Sequence, residues 1–310
     1  MIYRLVHHIR SSGMPLASRV HAVTQLPLDP PRRLASSMPQ ERSAAALSST
    51  DWSASQYLKF GQQRTRAVHD LVAQLPISCP ARIIDLGCGP GNSTSVLKAR
   101  FPGATVSGVD SSPDMLSRAR QTLPDVQFEL FDLTTYEPEP GADLLFSNAV
   151  FHWLRRHERI PVIVRLLKTQ KPGGVFAFQV PDNYDEPSHR AMRQTVEDGP
   201  WKACFDALTD RPDLDPIEPV SDLYDALIPY CEKVDIWHTL YQHVLPGPGD
   251  IVGWVKGTGL QPFVQAVPEG TLRDGYLKAY EQRLAGLYPK LADGKIMLRY
   301  PRLFVVAVRK

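Results

Sequence analysis

At 310 residues the chain can bury a sizeable core, either as one large domain or as a core with a smaller appended part. A hydrophobic content of 43% against 22% charged residues excludes a disordered tail, and 35 basic against 33 acidic residues exclude the concentrated positive field of a nucleic-acid binder. No stretch approaches the roughly 20 apolar residues that cross a bilayer, so neither nucleic acid nor membrane is expected as a partner. Cys79, Cys88, Cys204 and Cys231 stand without a Cys-x-x-Cys pair or a nearby His cluster, which calls for no metal and no disulfide framework and makes a reducing, cytoplasmic compartment the default.

Residues 1–50 differ from the rest. Arg4, Arg10, Arg19, Arg32, Arg33 and Arg42 stand among many serines with only Asp29 and Glu41 as acids. That composition is similar to an organellar, for instance mitochondrial, transit peptide; a disordered extension, or an upstream start ahead of Met38, accounts for it equally. The segment is set apart from residues 51–310, the expected folded domain.

From Trp52 onward, strand-like apolar runs alternate with helical patterns, the signature of an α/β fold with a doubly wound, mostly parallel sheet. Seven strands are predicted, at Arg82 to Leu86, Thr105 to Val109, Val126 to Leu130, Asp143 to Ser147, Val175 to Val180, Val234 to Tyr241 and Leu303 to Val308. Helices are predicted from Asn92 to Arg100, Pro113 to Thr122 and Trp153 to Leu167, Pro113 standing where a helix start tolerates its missing N–H. Two long gaps, about 183–232 and 245–298, exceed ordinary loops and are expected to hold a helical cap beside the last strands. Within it, Pro212 to Pro219 is Pro- and Asp-rich and is the segment expected to be mobile.

The strongest local signal is Ile83-Ile84-Asp85-Leu86-Gly87-Cys88-Gly89-Pro90-Gly91-Asn92, a strand feeding a glycine turn that opens a helix. Such glycines let the backbone approach a ligand closely. A dinucleotide fingerprint reads Gly-x-Gly-x-x-Gly, and here the third glycine comes one position early. Asp85 at the strand end would repel a diphosphate but suits the ammonium and sulfonium of S-adenosylmethionine. Asp110 closes the second strand about 20 residues past the turn, where a carboxylate grips ribose hydroxyls; Ser111 and Met115 follow as cofactor contacts. Asp132 and Leu133, after the third strand, are placed at the adenine, and Asn148 and Ala149, after the fourth, at the methionine moiety. Taken singly each has an ordinary alternative: Asp110 as a helix cap, Asp132 as a solvated turn residue, Cys88 as a small packed side chain between glycines.

With these motifs the chain resembles the class I methyltransferases, and within them the trans-aconitate methyltransferases, over about Trp52 to Val308. The resemblance rests further on Trp52-Ser53-Ala54-Ser55-Gln56-Tyr57-Leu58-Lys59-Phe60, Gly89-Pro90-Gly91-Asn92-Ser93-Thr94, Val109-Asp110-Ser111-Ser112-Pro113 and Val180-Pro181-Asp182-Asn183. It continues in Val234-Asp235-Ile236-Trp237, Trp254-Val255-Lys256-Gly257-Thr258-Gly259-Leu260 and Tyr300-Pro301-Arg302-Leu303-Phe304. It implies methyl transfer from S-adenosylmethionine to a carboxylate of trans-aconitate or a related small polycarboxylate, by positioning and with no assigned base. Binding such an anion calls for cationic and hydroxyl donors. Arg302 is the first candidate, followed by Trp254, Tyr57, Trp153 and His243, then by Lys256, Arg299 and Tyr300. Trp153 and Trp254 are equally what lid or core packing would use, and Arg302 what an ordinary strand edge would carry. The chain departs from the family pattern at His152, where a Gln commonly stands, and at His238, where an Arg is expected; His152 is open to two readings, proton chemistry or a neutral hydrogen-bonding replacement for the amide, and for a hydroxyl acceptor either His152 or Tyr57 would serve as the base. Two other readings remain: a methyltransferase for a phenol, amine or other acid, and a non-catalytic S-adenosylmethionine-binding module. A monomer is the expected state.

Overall fold

The computed structural model describes residues 61–209 and 212–310; the N-terminal extension, the Trp52–Phe60 motif and its Tyr57 lie outside them. The described chain runs α1 (Gly61–Val72), β1 (Arg82–Leu86), α2 (Asn92–Arg100), β2 (Thr105–Asp110), α3 (Pro113–Thr122), β3 (Gln127–Leu130) and β4 (Leu144–Asn148). It continues through α4 (Arg156–Lys168), β5 (Val175–Pro181), α5 (Pro187–Glu197), α6 (Lys202–Asp206), α7 (Val220–Leu227) and β6 (Cys231–Leu245). The last elements are α8 (Pro248–Lys256), α9 (Gln261–Ala266), α10 (Thr271–Leu287) and β7 (Ile296–Arg309).

The seven strands form one sheet in the order β3-β2-β1-β4-β5-β7-β6. β1 to β5 pair in parallel, and β7 runs antiparallel to both β5 and β6. The order reverses direction at β1 and β4, so a crevice opens outside the carboxyl ends of these two strands. β1 and β5 are buried along almost their whole length, as central strands covered on both faces are. On one face Ala67, Val68 and Leu71 of α1 share a core with Leu97 of α2 and with Trp254, Tyr276 and Tyr280. On the other, Val162, Ile163 and Leu166 of α4 pack with Leu223 and Leu227 of α7.

Several expectations from the sequence change. Trp153 sits in a 3₁₀ turn, Phe151–Trp153, and α4 begins only at Arg156, where the Glu158 carboxylate accepts from the Arg155 N–H at 3.2 Å and closes the first turn. β6 and β7 are far longer than expected and pair from Leu245↔Ile296 back to Cys231↔Arg309, forming a ribbon that runs past the sheet. The insert after β5 divides. α5 joins α10, the Tyr280 hydroxyl donating to the Ser188 carbonyl at 3.1 Å and the Ser188 N–H to the Tyr288 hydroxyl at 3.0 Å, whereas α7 crosses to the opposite face beside α4.

The Pro- and Asp-rich stretch is tied down rather than loose. Arg155 donates to the Asp213 carbonyl at 3.0 Å, the Arg156 N–H to Asp215 at 2.8 Å, and Arg159 to the Pro216 carbonyl at 3.1 Å and the Glu218 carboxylate at 2.9 Å. No helix among the described residues is long and apolar enough to cross a membrane.

Candidate active site

A cavity of about 240 Å³ runs along the carboxyl edge of the sheet. Its walls follow the strand order: Asp132 and Leu133 after β3, Asp110 and Ser111 at β2, Gly87 and Gly89 after β1, Asn148 and Ala149 after β4, Pro181 and Asn183 after β5, and Arg302 on β7. Arg302 reaches this edge although β7 runs backwards, because it pairs with Pro181, the last residue of β5.

The half near β1 to β3 is built by the backbone. Gly87 adopts φ 71°, and a side chain there would lie 2.3 Å from Val150; Gly89 adopts φ 54° and a Cβ would project into open space on the cavity wall. The first glycine is required by packing and the second leaves room for a ligand. Asp110 is fixed on both oxygens, accepting from the Gly89 N–H at 2.8 Å and the Ser112 N–H at 2.9 Å. An oriented carboxylate between a glycine turn and a helix start suits a vicinal diol, and Met115, Phe131 and Leu133 supply apolar surface for a flat ring. Asp132 accepts from the Thr134 N–H and hydroxyl on Oδ1, both at 2.8 Å, which holds this carboxylate as a turn on the wall. These residues fit an adenosyl group, which a residue without a Cβ at Gly89 lets approach the backbone closely. Ala149 keeps a left-handed φ of 59°, a strained conformation for a residue with a Cβ, and its N–H donates to the Gln179 carbonyl at 2.9 Å.

The other half gathers two guanidinium groups, Arg64 and Arg302, each 5% exposed, among aromatic rings. Arg64 donates to the Trp254 carbonyl at 3.1 Å and lies 5.8 Å over its ring; Arg302 lies 5.2 Å from the Tyr300 ring and donates to Gln179 at 3.0 Å. His152 and His189 line the same end. Burial first, then the positive fields of Arg159 and Arg302 and the nearby His189, push His152 well below 6.5. Burial, helped by Arg193, lowers His189 to about 3. Both rings are therefore neutral at pH 7, and the Nδ1 of His152 is buried without a hydrogen-bond partner among the described residues. A site with two buried cations and two neutral imidazoles is suited to a small anion rather than a cation.

Of the residues expected at the cofactor, Gly87, Gly89, Asp110, Ser111, Met115, Asp132, Leu133, Asn148 and Ala149 line the cavity; Asp85, Cys88, Gly91 and Asn92 do not. Asp85 lies wholly buried beneath the turn, where one oxygen accepts from Ser93 at 2.7 Å and Thr94 at 2.6 Å and ties the glycine loop to α2. Burial raises it to about 6 against the lowering effect of those two hydroxyls. Cys88 packs with Leu116, Ala119, Val126 and Phe128, and burial drives its thiol far above the usual range, so it stays protonated. Gly91 caps α2 at φ 91°, and Asn92 is that helix's first residue, outside the cavity lining.

Of the acceptor candidates, Arg302, Trp254, Trp153 and Tyr300 line the cavity, while His243, Lys256 and Arg299 do not. His243 lies 4.5 Å from the Trp254 ring and tilted against it, lowered to about 4 chiefly by burial, and so supports the wall. Arg299 points outward to Glu186 at 3.2 Å, and Lys256 is exposed at the end of α8. His238 pairs with Asp182 at 2.8 Å on the surface. Arg64, Asn183 and His189 were not foreseen. They come from α1, the end of β5 and α5, and the readable signal was only that an Arg and a His fall on apolar helix faces.

A methyltransferase domain profile matches residues 83–174, the cofactor half. The trans-aconitate 2-methyltransferase of Rhodopseudomonas palustris strain HaA2 is 48% identical over 259 residues, covering 84% of this chain and 99% of that protein. That of Agrobacterium fabrum strain C58 is 47% identical over 259 residues, with the same coverage. Among solved structures, the YcgJ protein of Bacillus subtilis aligns with a TM-score of 0.50 at 11% identity over 79% of this chain and 98% of that one, a likeness of fold alone. This chain is an S-adenosylmethionine-dependent methyltransferase and belongs to the trans-aconitate 2-methyltransferase family.

Proposed function

We propose that the chain methylates a carboxylate of trans-aconitate, giving a monomethyl ester and S-adenosylhomocysteine. The observation that carries this reading is the pair of buried guanidinium groups, Arg64 and Arg302, at the end of the cavity away from the glycine turn. S-adenosylmethionine supplies an electrophilic methyl on a sulfonium, whose carbon–sulfur bond electrons leave with the sulfur. Asp110, the Gly87–Gly89 turn, Met115 and Leu133 would hold its adenosyl part, and Asn148 and Ala149 its amino-acid part.

A carboxylate is ionised at pH 7, so the residues must position and desolvate it rather than remove a proton. Arg64 and Arg302 are suited to grip the non-reacting carboxylates, with the neutral His152 and His189 as hydrogen-bonding walls that leave this positive charge unreinforced. Trp153, Trp254 and Tyr300 exclude water from the reacting oxygen. A phenol or amine acceptor would need a base, and His152, held far below its ordinary pKa, is a weak one. The high identity to the family along nearly the whole of its relatives' length supports an enzyme over a binding module. The free thiols of Cys79, Cys88, Cys204 and Cys231 support a cytoplasmic location.

Arg302→Ala is expected to raise the KM for trans-aconitate about 100-fold, the effect of losing a charge-assisted contact of roughly 2–3 kcal/mol, while the Kd for S-adenosylhomocysteine moves less than threefold. Steady-state kinetics with a parallel binding titration check this, and an unchanged KM would contradict it.

A further inference from the structure

Gln179 is a fully buried amide in an otherwise apolar strand, Val-Phe-Ala-Phe-Gln-Val-Pro. Burial of an amide is costly unless its polar atoms are engaged, and here both ends are. Its Oε1 accepts from Arg302 at 3.0 Å, and its Nε2 donates to Asn148 Oδ1 at 2.5 Å. Its main-chain carbonyl accepts from the Ala149 N–H at 2.9 Å. One residue that does not itself line the cavity therefore holds Arg302 at the acceptor end and the Asn148–Ala149 corner at the cofactor end.

The bridge has a direction. Because Asn148 Oδ1 takes the Gln179 donor, the amide nitrogen of Asn148 is turned toward its other surroundings. A neutral amide also orients Arg302 without cancelling its charge, whereas a carboxylate in the same place would orient and neutralise it. A ligand that fixes Arg302 fixes Gln179, and through it Asn148, so the ordering cost of the second ligand is met in advance.

We infer that Gln179 is a positioning residue that couples the two halves of the cavity, making acceptor and cofactor bind more tightly together than apart. The coupling is reciprocal, each ligand tightening the other by the same factor. This rests on the acceptor reading above, with Arg302 as the anion's anchor.

The test is calorimetric titration of the full chain with S-adenosylhomocysteine, with and without saturating trans-aconitate, in the wild type, Gln179→Leu and Gln179→Glu. In the wild type trans-aconitate should tighten S-adenosylhomocysteine about fivefold or more. In Gln179→Leu the factor should fall to within about twofold of one. Gln179→Glu keeps a contact to Arg302 but offers Asn148 no donor, so it should lose the coupling and weaken trans-aconitate about tenfold more than S-adenosylhomocysteine. Should the leucine variant fail to fold, the glutamate variant decides. A Gln179 that serves only packing would weaken both ligands while leaving the coupling factor unchanged, and that result, or a wild type with no coupling, would overturn the inference. Wild-type protein that neither binds nor turns over trans-aconitate would overturn the acceptor reading, and the inference with it; turnover with unaltered coupling in both variants overturns the inference alone.

Discussion

Asp85 and Asp110 end neighbouring strands and do different work. Asp110 keeps its carboxylate on the cavity wall, oriented by two backbone N–H groups. Asp110→Ala is expected to weaken S-adenosylhomocysteine binding at least about tenfold, measured by titration, with a small change in thermal stability. Asp85 is buried and raised to about 6 from 3.8. Its ionised form is disfavoured in the folded state, so the folded protein holds the proton more strongly than the unfolded chain between about pH 4 and pH 6. Stability is therefore lost as pH rises through that window, by on the order of 3 kcal/mol for a shift of about two units. Asp85→Asn should remove this slope: denaturant titrations at pH 4, 5, 6 and 7 should show the variant gaining on the wild type as pH rises and then levelling off. A difference that is flat with pH would contradict the burial argument. The sequence placed both aspartates at the cofactor, since each stands near a strand end two positions from a glycine. Only the hydroxyls of Ser93 and Thr94, folded back from α2, draw one of them inward.

At the scale of elements, the 3₁₀ turn that presents His152 and Trp153 is held from behind. Arg159 of α4 donates to the Phe151 carbonyl at 3.0 Å and the Leu154 carbonyl at 3.1 Å, on either side of the two cavity residues, and its charge is met by Glu218 at 2.9 Å. Both side chains of this pair are almost wholly buried. Removing one partner leaves an uncompensated buried charge, so Glu218→Gln is expected to cost about 3 kcal/mol in denaturant unfolding and to raise the acceptor KM, as the turn loses its backing. Strands β1 to β5 and helices α2 and α3 were legible because each satisfies a local rule: apolar runs, a glycine turn, and a Ser112-Pro113 start in which Ser112 accepts from the Met115 N–H at 3.2 Å. β6 and β7 were under-read because beyond the sheet they pair with each other and bury one face, giving alternation at Tyr241, His243 and Leu245 instead of an apolar run. The period-two pattern was present, broken by Leu240 and Val244, which face outward although apolar.

Across the molecule the cofactor half was legible and the acceptor half much less so. Gly87, Gly89, Asp110 and Asn148 follow strands in a fixed order, so topology alone sets them side by side. Arg64, His189 and Arg302 come from α1, α5 and an antiparallel strand, and nothing local joins them; Gln179, a polar residue inside an apolar strand, was the overlooked sign of a buried network. With both cavity histidines neutral and the acceptor already ionised, kcat/KM should be flat between about pH 6.5 and 8.5, whereas a hydroxyl acceptor would show a rise with pH. The most direct measurement is S-adenosylhomocysteine formation by the purified chain offered trans-aconitate, cis-aconitate, citrate, isocitrate, and a few phenols and amines. The two-guanidinium site predicts preferential turnover of trans-aconitate; turnover of the phenols or amines alone would contradict it.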